Sequence, residues 1–381
     1  MADENVLKKV HNLSDIELAA LLSLMSREHC LISTPPDALD DLIEELLLIS
    51  TKTFGLKPAV VDCTPNTTLD EFATSLLLHP PSAGPRSNSP YLTRHGESYF
   101  HQQPGHPKGA AAAPTPLSPS VPTANIANVV LAKNLDRAPR AVQIQALELL
   151  RTKRIFTRTS VQMAPKQFLF VAVLGADSGG QARVTPHLND FFYVAHWHDS
   201  DDGFANLDEE YGTGREDSDF GSETASTESV VKKSWHGGEG AVERDGGGLS
   251  KPVFSEGDIA CLAKMSQDVQ IDVDVLRYQM NIVSFLRMHR AVAGGITPTA
   301  TRQFEQLMKC LAPLHRLDYV TPSLVALAAR KIYLHRIKIV MPEKERSMQW
   351  GSELAAIEAL LEDVGPEEVI EDVLGMVPAP V

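Results

Sequence analysis

Short apolar runs that alternate with helical patterns constrain the fold of this chain more than any other sequence feature. Strands buried on both faces of a parallel sheet read as continuous apolar runs, and helices connect them. The runs that fit such strands are 29–33, 59–63, 127–132, 168–174 and 191–195. Helical patterns cover 13–28, 37–54 and 139–151. The sequence therefore predicts an α/β domain over 13–198 that contains a five-stranded parallel sheet.

From residue 254 onward the sequence contains helical patterns only. Ser255 and Asp258 fit a capping box, and Thr297-Pro298 and Thr321-Pro322 each place proline at a first helical position. We expect four helices in a second domain, 251–345. An acidic helical tail, 346–381, should follow, with a break at Gly365-Pro366.

Two segments lack the apolar content that a packed core needs. Residues 80–123 are rich in proline, and 199–250 are acidic and rich in glycine and serine. Such segments cannot bury enough apolar surface to offset the entropy of ordering, so both are predicted to be disordered inserts. The net charge of −14 resides largely in 199–245 and in the tail, so it says little about partners of the folded part.

Composition excludes several classes of protein. No apolar stretch approaches the eighteen or so residues of a membrane span, and the first ten residues lack the apolar core of a signal peptide. The four cysteines include no CxxC pair, which disfavours a zinc site or a disulfide framework. We expect free thiols and no membrane association. A cytoplasmic location is predicted, with the nucleus left open.

The segment 127–174 resembles the Walker B to sensor 1 region of MoxR-type and magnesium-chelatase AAA+ ATPases. In that family an apolar strand ends in D-E-I-N-R-A, and a Q-x-x-L-L-E helix and a P-x-x-F strand follow. The block 271–336 resembles the helical lid of the same family in order and spacing. The residues that fall in step with the first block are Arg137, Ala138, Pro139, Gln143, Leu147, Glu148 and Phe168.

The resemblance implies a P-loop after the first strand, and the residues there do not suit one. A P-loop needs glycines, a lysine and a hydroxyl residue around the phosphates. The segment 34–41 instead contains Pro35 and Pro36, with Asp40 near the lysine position and Asp41 near the hydroxyl position. The magnesium-binding aspartate and the water-polarising glutamate of Walker B fall at Lys133 and Asn134.

The remaining nucleotide-contacting positions implied by the resemblance are also changed. The sensor 1 asparagine falls near Gly175, and Asp190 stands at the arginine-finger position. The sensor 2 arginine is Thr299, with Arg302 one turn later as a weak substitute. We therefore predict no catalytic, cofactor-binding or metal-binding residues and no resident cofactor.

The resulting hypothesis is a catalytically inactive AAA+-like protein that acts as an adaptor, scaffold or regulatory subunit. Its expected partner is a protein, either an active AAA+ relative or further copies of this chain in a ring, and the lid is expected to carry the binding. The alternative is the ATPase motor subunit of a magnesium-chelatase-like complex, which would need ATP and Mg²⁺. A product without selected activity is a third possibility.

Two local patterns allow more than one interpretation. His196 and His198 would share a strand face as a metal pair, or form a pair at the surface edge of the sheet, which we favour. A basic run could contact nucleic acid, hold the chain's own acidic segment, or form a solvated face. It lacks interleaved aromatic residues, so nucleic-acid binding is not favoured. The run comprises Lys133, Arg137, Arg140, Arg151, Lys153, Arg154, Arg158 and Lys166.

Overall fold

A computed structural model describes residues 2–78, 125–157, 160–212 and 252–380. The predicted insert 80–123 and residues 213–250 of the predicted acidic linker lie outside the described residues. None of the helices in the described ranges combines the length and the apolar character needed to cross a lipid bilayer.

The predicted five-stranded parallel sheet is confirmed, in the order β2-β3-β4-β1-β5. All four strand pairings are parallel, with Thr34 beside Gly175 and Lys133 beside Val173 near the carboxyl ends. The strands are β1 His29–Thr34, β2 Pro58–Asp62, β3 Val129–Lys133, β4 Leu169–Gly175 and β5 Phe192–Trp197.

Helices cover the two faces of this sheet. Strand β1 is buried along its whole length, as its central place between β4 and β5 requires. The helices of the α/β part are α1 Ala2–Val10, α2 Asp15–Ser26, α3 Leu39–Leu48, α4 Leu69–Ser75, α5 Arg140–Thr152, α6 Pro186–Asn189 and α7 Ala205–Gly212. A π-turn, Ile49–Thr53, extends α3, and short 3-10 turns span Pro36–Ala38, Leu135–Arg137 and Ser200–Asp202.

The four predicted helices of the second domain are present, and the tail adds two more. Ser255 and Asp258 form the predicted capping box, and Thr297 caps its helix with proline at the first position. These helices are α8 Glu256–Asp268, α9 Val273–Met288, α10 Pro298–Leu314, α11 Pro322–Tyr333, α12 Leu354–Leu361 and α13 Pro366–Met376. Short 3-10 turns, Pro342–Lys344 and Arg346–Trp350, connect α11 to the tail.

Among the residues that the structure describes, three two-stranded antiparallel pairs lie outside the main sheet. They join Leu77–Leu78 to Asn125–Ile126, Arg154–Phe156 to Val161–Met163, and Val292–Gly294 to Lys338–Ile339. The last pair joins the start of α10 to the end of α11 within the helical domain.

The start of the acidic segment is folded, so the predicted linker boundary at 199 is wrong. Phe204 is buried, and α7 begins on the carboxylate of Glu45, which is itself fully buried. That carboxylate accepts hydrogen bonds from the backbone N–H of Asn206 at 3.1 Å and of Leu207 at 2.9 Å. A buried acceptor therefore orders a stretch whose composition alone predicts disorder.

Gly295 closes the connection into α10 and is the position where the backbone demands glycine. Its φ is +106°, and a Cβ there would lie 1.9 Å from the carbonyl oxygen of Arg336. A Cβ on the neighbouring Gly294 would meet nothing within 4 Å. The two glycines therefore form a matched pair for substitution.

We predict that Gly295→Ala lowers the free energy of unfolding by about 3 kcal/mol, from backbone strain and a steric clash. Gly294→Ala should change it by less than about 0.5 kcal/mol. Urea unfolding followed by circular dichroism measures both. Equal effects of the two substitutions would contradict the close approach of Gly295 to Arg336.

Candidate functional site

The carboxyl edge of the sheet brings together the positions at which the resemblance places the nucleotide. Thr34 ends β1, Lys133 ends β3 and Gly175 ends β4, on neighbouring strands. Ligands of open α/β sheets bind beside the carboxyl ends of the strands, so this edge is where phosphate chemistry would occur.

The connection from β1 to α3 crosses this edge in a short, tight path. Pro35 is extended, a 3-10 turn over Pro36–Ala38 follows, and α3 begins at Leu39. The Ala176 N–H donates to the Thr34 carbonyl at 3.0 Å, and a Cβ on Gly175 would lie 3.4 Å from Pro36 Cα. The connection therefore packs against the end of β4. Pro35 and Pro36 have no N–H, and the Ala38 N–H donates to the Pro35 carbonyl at 3.0 Å, so these three residues cannot enclose phosphate as a P-loop does.

An ion pair between Asp40 and Lys133 spans the same edge. The lysine side chain is mostly covered, at 19% exposure, whereas the aspartate is 81% exposed. The resemblance implies a lysine on the loop and a magnesium-binding carboxylate on the strand. Here each position carries the opposite charge. The two side chains neutralise each other, and neither suits the ligand that its position would hold.

Asn134 follows Lys133 in a left-handed conformation, with φ 52° and ψ 40°. Its backbone N–H donates to Val173 at 2.9 Å. Its Oδ1 is buried and has no hydrogen-bond partner among the described residues. An amide cannot accept the proton of an attacking water, so this position supplies no general base.

The predicted arginine-finger position, Asp190, lies at the amino edge of the sheet, where it contacts the helical domain. It lies two residues before the start of β5, and its Oδ1 accepts a hydrogen bond of 2.7 Å from Thr297 Oγ1. Thr297 caps α10, so the sensor 2 position, Thr299, lies beside this amino edge. The five intervals between the six residues of β5, at about 3.3 Å each, separate the two edges by roughly 17 Å. Thr299 and the exposed Arg302 therefore do not face the segment 34–41 of their own chain.

A buried arginine joins the two domains at this amino edge. Arg336 is 2% exposed, and its Nη2 donates to the carbonyls of Asp190 at 3.1 Å and Phe192 at 2.6 Å. Nη2 also contacts Gln303 Oε1, and Nη1 donates to the Ile332 carbonyl at 3.0 Å. Burial lowers the pKa of Arg336 to about 10, and the carboxylate of Asp190 opposes that shift.

Neighbouring side chains extend this junction. His335 Nε2 lies 3.0 Å from the Phe192 carbonyl, and Asn189 Nδ2 donates to the His335 carbonyl at 2.8 Å. Burial, followed by the charge of Arg336, lowers the pKa of His335, so the neutral ring donates through Nε2. Sequence patterns gave no sign of this network, because its acceptors are mostly backbone carbonyls.

The interpretation of His196 and His198 as a surface-edge pair is wrong, because both are buried, at 6% and 5% exposure. Lys331 Nζ donates to His196 Nδ1 at 3.1 Å. Burial, and next the charge of Lys331, lowers the pKa of His196 to about 3. No group of three or more His, Cys, Asp or Glu suited to a metal ion occurs in the described ranges.

The basic run is dispersed by the fold. Lys133 pairs with Asp40, and Lys153 lies 2.6 Å from His29 Nε2, above the ring of Phe168. Arg158 lies outside the described residues. Lys133 and Lys153, which the sequence placed in one basic run, therefore contact different residues in the structure.

Comparison with known proteins supports the architecture. A family model described as the AAA lid domain matches residues 284–357. The crystal structure of a candidate ATPase from Cytophaga hutchinsonii ATCC 33406 matches 99% of this chain and 94% of its own, with a TM-score of 0.60 at 14% identity. The fold is that of an AAA+ module with a helical lid. The boundaries predicted for this lid, 251–345, stay a prediction.

Two further similarities are weaker. A Bacillus subtilis (strain 168) protein, the uncharacterized YeaC, is 25% identical over 131 residues, or 34% of this chain. That match spans 36% of the relative's own length, about a third. A full-length MCM homolog from Methanopyrus kandleri has a TM-score of 0.41 at 10% identity, over 87% of this chain and 57% of its own.

We predict that Arg336→Met lowers the free energy of unfolding by about 3–5 kcal/mol, because it leaves buried acceptors of both domains without their donor. Arg330→Met is the matched control. Arg330 is 48% exposed and pairs with Glu371 on α13, so its loss should cost less than about 1 kcal/mol. Urea unfolding of both variants measures the difference. A small effect of Arg336→Met would contradict its role at the junction.

Proposed function

We propose that this chain is a catalytically inactive AAA+-like protein that acts as an adaptor, scaffold or regulatory subunit of a larger assembly. The single observation that carries the proposal is the ion pair between Asp40 and Lys133 at the carboxyl edge of the sheet. ATP hydrolysis by this fold needs a cation for the phosphates, a carboxylate for magnesium and a group that orients water.

The electrostatics of this edge oppose a triphosphate. Asp37, Asp40 and Asp41 lie within the first turns after β1. Two like unit charges about 4 Å apart repel by about 4 kcal/mol at an effective dielectric of 20. Lys133 is paired with Asp40 and offers no oxygen ligand for magnesium. A bound nucleotide would have to break this pair and overcome the repulsion of the carboxylates.

The lid provides the binding surface in this proposal. Helix α9 exposes Val273, Leu276, Met280 and Met288, at 61%, 42%, 44% and 61%. On the same helix Val275, Val283 and Leu286 are buried, whereas Leu276 and Met280 remain outside the core. Large apolar side chains in a solvent-facing group mark interaction sites.

A groove beside this stripe gives the surface its shape. Its volume is about 480 Å³, and α10 contributes Pro298, Arg302 and Glu305 to its wall. The partner proposed is a protein, either an active AAA+ relative or further copies of this chain. The alternative of a magnesium-chelatase-like motor requires the ATP chemistry that this edge opposes, and no contact of the described residues favours it.

The adaptor function is tested by recovering the full-length protein from its native cells with an affinity tag. We predict a stoichiometric protein partner that stays bound after ATP is removed with apyrase, because no nucleotide participates. The double variant Leu276→Asp/Met280→Asp should reduce recovery of that partner at least tenfold.

The matched control places the same charges on another exposed apolar pair. Val161 and Met163, at 52% and 63% exposure, lie on the hairpin that follows α5 and do not line the groove beside α9. Val161→Asp/Met163→Asp should leave recovery unchanged. Loss of the partner on ATP removal, or loss with the hairpin variant alone, would reject the proposal.

A further inference from the structure

A cavity of about 450 Å³ lies where the α/β core meets the lid, away from the segment 34–41. Helices α1 and α2 and strand β5 line one side, and α10 and α11 line the other. Most of the lining is aliphatic: Val10, Leu13, Leu18, Ala19, Leu22, Val194, Leu311, Leu314 and Leu327. Volume and apolar lining are both in the range typical of small-molecule sites.

A cation lies in this lining. Lys331 of α11 is half-buried, and its Nζ donates one hydrogen bond to His196 Nδ1 at 3.1 Å. That ring is neutral, since its pKa is lowered to about 3, and it therefore does not offset the ammonium charge. An ammonium group has three donors, so two remain for another acceptor.

No carboxylate neutralises Lys331 at contact distance. None of the ion pairs within 4.0 Å in the described part of the chain includes it. Burial lowers the pKa of Lys331. The carboxylates of Asp15 and Glu367, which lie beyond ion-pair distance, partly oppose this shift. Asp15 lines the cavity and is exposed, as are His11 and His315. A half-buried charge without a contacting counter-ion favours an anionic ligand.

We infer that this cavity binds a medium-length aliphatic carboxylate. The carboxylate accepts hydrogen bonds from Lys331 Nζ, and the alkyl chain lies against the leucines of α2, α10 and α11. The assignment is independent of the proposed adaptor function. It adds a small-molecule site whose walls belong to both domains.

The head group and the alkyl chain of the ligand each contribute to specificity. A charge-assisted hydrogen bond to Lys331 favours a carboxylate over an alcohol of equal length, and an alkylamine meets like charge. Each further methylene that reaches the aliphatic wall should tighten binding by about fourfold, until the cavity is full.

Isothermal titration calorimetry of the full-length protein tests this inference with hexanoate, octanoate, octanol and octylamine. We expect saturable binding of octanoate, about tenfold or more tighter than hexanoate, with octanol weaker and octylamine without measurable binding. The substitution Lys331→Met should weaken the affinity for octanoate at least tenfold. Lys338→Met is the matched control, because Lys338 is exposed on the short strand Lys338–Ile339. It should bind as the wild type does.

A second variant keeps the test decisive if Lys331→Met does not fold. Ala19 lines the cavity from α2, so Ala19→Phe should fill it and remove octanoate binding while the lysine remains. Circular dichroism verifies the folding of each variant. The inference is overturned if octanoate fails to bind at millimolar concentration, or binds Lys331→Met and the wild type equally. Equal binding of octylamine and octanoate would also overturn it.

Discussion

The guanidinium of Arg336 is the interaction on which the arrangement of this molecule depends. It reaches from the turn after α11 to the carbonyls of Asp190 and Phe192 at the start of β5 and to Gln303 on α10. Removing a charge from water costs several kcal/mol, and only a set of well-placed acceptors compensates for it. The backbone carbonyl of Arg336 lies so close to Gly295 that a Cβ on residue 295 would clash with it. Arg336 therefore fixes the lid at the amino edge of the sheet, and Gly295 lets the start of α10 pack against Arg336 within the lid.

The lid packs against the amino edge of the sheet, so the two edges of the sheet carry different kinds of contact. At the amino edge, the buried Arg336 donates hydrogen bonds to the Asp190 and Phe192 carbonyls, and the Asp190 carboxylate accepts a hydrogen bond from Thr297. At the carboxyl edge, Asp40 and Lys133 neutralise each other across the place where phosphates would lie. The edge that holds the domains together thus keeps well-formed contacts. The carboxyl edge, where the resemblance places the nucleotide, carries charges that oppose the binding of a triphosphate.

Sequence patterns predicted the five strands and the four lid helices because burial periodicity and capping are local signals. The predicted strand 191–195 ends two residues early, since His196 and Trp197 are polar or amphipathic yet continue β5. Composition also failed at 199–212, where α7 is ordered by the buried carboxylate of Glu45. Both errors arise because a distant partner, absent from the local pattern, decides whether a polar residue is buried.

The candidate site was predictable in part, for the same reason. The residue types at 40, 133 and 134 already argued against ATP chemistry. The pairing of Asp40 with Lys133 required the sheet order, which places β3 and β1 on either side of β4. The location of Thr299 could not be read from sequence either, because it depends on how Arg336 seats the lid. A motif alignment supplies residue types, whereas the edge that each residue occupies is a property of the packing.

The most direct test of this account is a titration of the pure protein with a fluorescent ATP analogue in the presence of magnesium. The ion pair and the acidic connection after β1 predict no saturable binding up to about 100 μM. A dissociation constant below that concentration, near −5.5 kcal/mol of binding free energy, would contradict the account. It would show that the carboxyl edge still accepts a triphosphate despite the exchanged charges at Asp40 and Lys133.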